Sequence, residues 1–257
     1  MTQHGIDANG FILEVPDAPV QSDFQELLCD LCSTLVAEAP LLLDSIYLYG
    51  SVARGEAVPR VSDLDVTLVL SHEGSSPDLE KIEALRKALA ARHPEVVKID
   101  FDIGHRAEVL AADNLFSWGY WLKHHCRCIW GNDLGQRFAP FRPSRAIAVA
   151  VNGDFEAVLN RYADRIEQTI DINEQSLWQR EAARKLIRAT NILRSDQDRN
   201  WPRTLDEHAE QFARHFPSMK TQIESFLVLA KTPTTSIKDF STQLRNFVQW
   251  MASVRVH

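Results

Sequence analysis

Tyr47-Leu48-Tyr49-Gly50-Ser51-Val52-Ala53-Arg54-Gly55, followed closely by Ser62-Asp63-Leu64-Asp65-Val66-Thr67-Leu68-Val69-Leu70, is the stretch on which the fold turns. Asp63 and Asp65 alternate with Leu64 and Val66 at the head of an apolar run. In a strand this alternation puts both carboxylates on one face and the aliphatic side chains on the other. Two carboxylates about 5 Å apart repel by roughly 3 kcal/mol at an effective dielectric near ~20, so a fold that keeps them adjacent usually supplies a cation. Hard oxygen ligands suit Mg²⁺, which keeps several waters and completes its shell with phosphate oxygens. Upstream, an apolar strand running into Gly50-Ser51 lets backbone approach a phosphate closely, with the Ser51 hydroxyl and nearby N–H groups as donors. A helix beginning near Val52 would add its positive N-terminal end.

Working outward, the coarse order is helix over 22–38, strand over 45–49, a short helix after Gly50-Ser51, strand over 64–70, helix over 77–92, strand over 96–103 and helix over 106–124. The helix at 77–92 is opened by Ser76-Pro77, carries Leu79, Ile82, Leu85 and Leu89 at helical spacing, and is closed by His93-Pro94. Strands separated by helices predict an α/β (α+β) sheet domain with helices on one face, its acidic face left open. On the third strand Asp100 and Asp102 share a face, with Ile99, Phe101 and Ile103 on the other.

Gly50-Ser51 followed by Asp63-Leu64-Asp65 resembles the signature of the nucleotidyltransferase superfamily of the DNA polymerase beta type. The resemblance implies a third carboxylate on a later strand, with Asp100 the first choice and Asp102 the second. It also implies a short strand and Gly-Asx turn closing the catalytic domain, which Cys128-Ile129-Trp130-Gly131-Asn132-Asp133-Leu134 matches; such a turn would suit any protein. The Pro-rich stretch Ala139-Pro140-Phe141-Arg142-Pro143 marks a boundary. The expected domains are 1–142, carrying catalysis, and 143–257, an all-α helical bundle.

Beyond about 145 the chain reads as amphipathic helices at 155–169, 177–194, 205–215, 219–229 and 237–254. A sheet domain followed by a bundle resembles, in layout, the aminoglycoside adenylyltransferases of the streptomycin/spectinomycin type. In that family an Arg on a comparable helix and a basic residue just after a Pro hold the nucleotide phosphates. Arg184 and Arg203 are the positions that match, and Arg54 belongs to the same phosphate question. On the helix around Arg184 the buried stripe is Ala183, Leu186, Ile187 and Thr190; a solvated basic face is the plain alternative for the arginines.

With 257 residues, 45% hydrophobic and 25% charged, the composition is that of an ordinary globular protein with room for two cores. No segment approaches a membrane span and Met1-Thr2-Gln3-His4 lacks a signal-peptide pattern, so a cytoplasmic protein is expected. The formal charge of −7 argues against a nucleic-acid partner, which normally demands a basic stripe. Cys29-x-x-Cys32 and Cys126-x-Cys128 could be arranged on paper as a zinc site. Cys29 and Cys32 fall on a helix, however, and buried reduced thiols are the simpler expectation. The cluster Phe116-Ser117-Trp118-Gly119-Tyr120-Trp121 reads as core rather than as a stacking platform, and His124 and His125 find no partner in the sequence.

The expected activity is a Mg²⁺-dependent transfer of a nucleoside monophosphate, AMP from ATP, to a hydroxyl of a small molecule, an aminoglycoside being one candidate. Asp63 and Asp65 hold the metal, Gly50 and Ser51 grip the β and γ phosphates, and Asp100 serves as base, third ligand or both. Two alternatives stand beside it: the same chemistry on a protein or tRNA, and a catalytically silent nucleotide-binding module.

Overall fold

A computed structural model describes residues 5–17, 19–233 and 236–255. The chain divides into two compact units, Leu13–Phe141 and Arg142–His257, the second joined by Met1–Ile12. The first residues, assigned to the sheet domain by sequence, cluster instead with the helices. Gly5, at φ +72°, lies so close to the Trp201 carbonyl that a Cβ would overlap it, and the Phe11 ring lies under the Arg142 guanidinium, 4.3 Å away.

The sheet unit has four strands, β1 (Leu43–Tyr49), β2 (Leu64–Leu70), β3 (Ile99–His105) and β4 (Arg127–Gly131), in spatial order β3-β2-β1-β4. β1 runs antiparallel to β2 and β4, while β2 and β3 are parallel and joined by a helical crossover. Helices α1 (Gln25–Glu38) and α3 (Ser76–Arg92) cover one face, where Leu27, Leu31 and Leu35 meet Ile46, Leu48, Leu64, Val66 and Leu68. α3 starts one residue before the expected 77, because Ser75 rather than Ser76 caps it in a reciprocal box with Asp78, and Pro77 sits in the first turn as expected. Between β1 and β2 lies the short α2 (Gly50–Arg54).

The other face is not left fully open. In place of the single helix expected over 106–124, the chain forms α4 (Arg106–Val109), a 3₁₀ turn, a π-helical turn (Leu115–Gly119) and α5 (Tyr120–His124). This segment wraps over Tyr47 and Val69, burying Val109, Leu122, Cys126 and Leu134 beside them. The breaks follow from that wrapping. Asn114 turns its side-chain amide onto the Glu108 carbonyl, and Gly119 sits so close to the Phe138 ring that a Cβ would come within 2.9 Å of it. β3 begins at Ile99 rather than 96 because Val97 is tied to Ser62 by its N–H and stands exposed.

The second unit is built on six α-helices among the described residues, α6 (Arg145–Asn152), α7 (Phe155–Gln168), α8 (Ile172–Ala189), α9 (Leu205–His215), α10 (Lys220–Leu229) and α11 (Ile237–Val254), with one isolated β-bridge between Ile6 and Ile12. Its core joins Phe155, Leu159, Leu186, Phe226, Phe240 and Leu244. α6, capped by Ser144, is absent from the sequence expectation, and Ala183, Leu186, Ile187 and Thr190 are buried as expected. No helix among the described residues is long and apolar enough to cross a membrane.

Candidate active site

Strand register sets the site. Tyr49 pairs with Asp65, and Asp65 with Asp100, so the three side chains form one row across β1, β2 and β3. The next row is Tyr47, Thr67 and Asp102. Both rows lie on the face away from α1 and α3, as the period-2 alternation requires. Asp63 stands immediately before β2 and adds its charge to Asp65. Asp63, Asp65 and Asp100 therefore come together at the end of the sheet where β1 stops, and Asp102 lies one row further in.

Gly50 closes this end. It holds φ at +72°, and a Cβ built on it would come 2.0 Å from Asp65 Oδ2. Only glycine lets the backbone leave β1 this tightly over a carboxylate. Ser51 follows in the first turn of α2, whose far end is closed by Gly55 in the left-handed conformation. Arg54, on the last turn, is engaged by Glu56, with Nε 2.8 Å from Oε2.

The electrostatics are those of a site built for positive charge. Burial first, then Asp63 and Asp100, push the Asp65 carboxyl up to about 6. Lys98 answers part of the repulsion: its Nζ lies 2.6 Å from Asp100 Oδ2 and 3.5 Å from Asp63 Oδ2. Burial, with Asp102 beside it, drives the Tyr49 hydroxyl far above its ordinary range, so it remains a donor and hydrogen-bonds Asp102. Among the described residues no three acidic, His or Cys side chains are already gathered at metal-holding spacing. The donor set nevertheless fits a hard cation, because it is all carboxylate and already holds an ammonium between two of its members.

The outer edge of β3 borders a groove of about 430 Å³ lined by Tyr49, Glu83, Arg86, Asp100 and Asp102. Arg86 is held there by Glu83 at 2.6 and 2.7 Å and donates to the Ile99 carbonyl. Arg184 and Arg203 belong to the helical unit. Arg184 on α8 pairs with Glu181 at 3.1 Å, and Arg203 is an exposed residue just before α9 whose N–H donates to Glu207.

Lys98 and Tyr49 are the residues that sequence reasoning passed over. The signal for Lys98 was present, since it precedes Asp100 by two residues and shares its face. The histidines have partners after all: the His125 ring lies 2.6 Å from the Tyr120 hydroxyl, and His124 accepts the Phe141 N–H. Trp121 packs edge-on against Tyr49 and donates to Thr67, so most of the aromatic cluster is packing, though Phe116 is exposed. All four cysteines are free thiols; Cys126 is buried as expected, whereas Cys29 is exposed because it falls on the solvent side of α1. The Gly-Asx turn is present, with Gly131 at φ +83° packed on the Asp44 carbonyl.

Residues 32–110 match the family model of the nucleotidyltransferase domain. Among solved structures the chain is similar to spectinomycin adenyltransferase AAD(9) from Enterococcus faecialis, determined with ATP and spectinomycin. The TM-score is 0.54 and the sequence identity 14%, with 87% of this chain and 98% of that chain covered. At this identity the likeness is one of fold. No curated protein matches the chain in sequence.

Proposed function

We propose, from the match of residues 32–110 to the nucleotidyltransferase domain model, that the protein transfers AMP from ATP to a hydroxyl of a small molecule, releasing pyrophosphate. The observation that carries this reading is the Tyr49, Asp65, Asp100 row with Gly50 pressed onto Asp65. A phosphate-approaching turn and a convergent carboxylate set are built at one end of one sheet. ATP and a small acceptor draw support from the fold likeness to an enzyme solved with ATP and spectinomycin. An ATP donor fits the cytoplasm, and the formal charge of −7 disfavours a nucleic-acid acceptor.

Asp63, Asp65 and Asp100 are the residues that would hold Mg²⁺. Asp102, a row further in and bonded to Tyr49, is the weaker candidate. When bound, Mg²⁺ would neutralise phosphate charge and make the α-phosphorus more electrophilic. Gly50 and Ser51 place the β and γ phosphates, and Arg54 adds positive charge to the triphosphate and its leaving group. The acceptor oxygen attacks the α-phosphorus in line. Its new O–P bond forms as the bond from the α-phosphorus to the bridging oxygen breaks, and that electron pair leaves with pyrophosphate. The hydroxyl proton passes to an Asp100 oxygen, which the groove along β3 keeps within reach of an acceptor seated there.

The test is pyrophosphate release from each of the four NTPs with Mg²⁺, with and without a panel of aminoglycosides, for wild type and Asp63→Ala/Asp65→Ala. Acceptor-dependent release with ATP, absent from the double variant, is the expected result. Release that survives the double substitution would overturn the site, and ATP binding with no release to any small acceptor would overturn the small-molecule reading.

A further inference from the structure

Resting on the nucleotidyl-transfer reading, we infer that Lys98 is a tethered counter-ion that yields its place to the metal–nucleotide pair and so couples the binding of metal to the binding of nucleotide. Its backbone is fixed, because the Lys98 carbonyl accepts the Leu64 N–H at 2.9 Å. Its side chain is 52% exposed, so solvent and an incoming ligand reach the ammonium beside the carboxylates. The oxygens it holds, Asp100 Oδ2 and Asp63 Oδ2, belong to two of the three carboxylates that the cation site needs. An ammonium and a divalent cation cannot both sit between those carboxylates.

In the ligand-free protein the Lys98 ammonium bridges Asp63 and Asp100, offsets their mutual repulsion and lets three carboxylates converge without a metal. A divalent cation arriving alone has to compete with this built-in charge, and the displaced ammonium gains nothing in exchange. With the nucleotide present, Lys98 gives up Asp63 and Asp100 and turns its ammonium to the triphosphate oxygens. Each ligand then lowers the cost of binding the other, which is a reciprocal coupling free energy. Arg86, the guanidinium on the β3 groove, is already held by Glu83 and the Ile99 carbonyl, which leaves the role to a side chain that can swing.

The experiment is a Mn²⁺ titration of the full-length protein, read from the EPR signal of free Mn²⁺, with and without α,β-methylene-ATP. It compares wild type, Lys98→Met, Lys98→Gln and Lys98→Arg. Neutral variants are expected to bind Mn²⁺ alone about tenfold more tightly than wild type, and the enhancement produced by the nucleotide analogue should shrink by a similar factor. Lys98→Arg should retain the wild-type pattern. Neutral variants that bind Mn²⁺ alone no more tightly than wild type overturn the proposal, while normal wild-type binding in the same titration leaves the nucleotidyl-transfer reading standing. A wild type that binds no Mn²⁺ even with the analogue overturns both. Failure of both neutral variants to fold, judged by circular dichroism, would assign Lys98 a purely structural role instead.

Discussion

Burial and the charges of Asp63 and Asp100 push the Asp65 carboxyl up to about 6 from an ordinary value of 3.8, so the folded protein holds this proton more tightly than the unfolded chain does. Ionising Asp65 therefore costs stability: the penalty is absent below pH 3.8, grows between 3.8 and 6, and is complete above that. Asp65→Asn removes the charge while keeping the shape. In chelator at pH 7 the variant is expected to be more stable than wild type by about 1–3 kcal/mol, with the gain vanishing by about pH 4. Activity should be lost at every pH. Thermal melts across that range check the sign, and a variant less stable than wild type at pH 7 would show that the carboxylates do not strain the fold. The same residue explains Gly50, because no side chain fits between the end of β1 and Asp65 Oδ2. Both positions were legible from sequence, since a Gly after an apolar strand and alternating aspartates are local signals. Lys98 was legible in its contact with Asp100 two residues on, but not in its contact with Asp63, which reaches it only through the pairing of β2 with β3.

At the scale of elements, α1, α3 and the approach to β2 are joined by a charged clasp. His93 at the end of α3 is almost fully buried, and its two ring nitrogens lie 2.8 Å from Asp30 Oδ2 on α1 and 2.8 Å from Glu95 Oε1. Glu95 in turn accepts the Arg60 N–H through its carbonyl, and Ser62 accepts the Val97 N–H, which steadies the loop that delivers Asp63. Burial alone would disfavour the charged ring, but its hydrogen bonds to Asp30 and Glu95 outweigh that and raise the His93 pKa above 6.5. The bonds from His93 and Arg92 hold Asp30 down at about 2. The His93 contribution is full below pH 6.5 and is lost as pH rises through its folded value; that of Asp30 is full above 3.8 and is lost as pH falls toward 2. His93→Gln should therefore destabilise most between pH 4 and 6.5, by about 1–3 kcal/mol, and less at pH 9. A deficit that is flat with pH would mean that His93 acts by packing alone. The clasp was not legible, because 63 residues separate His93 from Asp30. Strand β2, an apolar run headed by two alternating aspartates, was read to the residue; the segment 106–124 was not, since its breaks answer to the sheet face it must cover rather than to any local period.

At the scale of the whole molecule, the division of labour between the units can be tested by pairing two kinds of change in the helical one. Phe240 is fully buried in the helical core, where truncation to Ala should cost about 3–5 kcal/mol through lost contacts and a residual cavity. Arg184 and Arg203 are half-buried and exposed, so their loss leaves that core intact. If they hold the triphosphate, Arg184→Ala/Arg203→Ala is expected to raise KM for ATP by about tenfold or more with an unchanged melting temperature, the size of one or two charge-assisted phosphate bonds. Phe240→Ala should do the reverse, lowering the melting temperature while leaving KM near its wild-type value at temperatures where the protein is folded. A double Arg variant with wild-type KM would return both residues to the solvated basic face that their sequence context also allows, and would leave Arg54 and Lys98 on the sheet unit as the nucleotide's cationic partners.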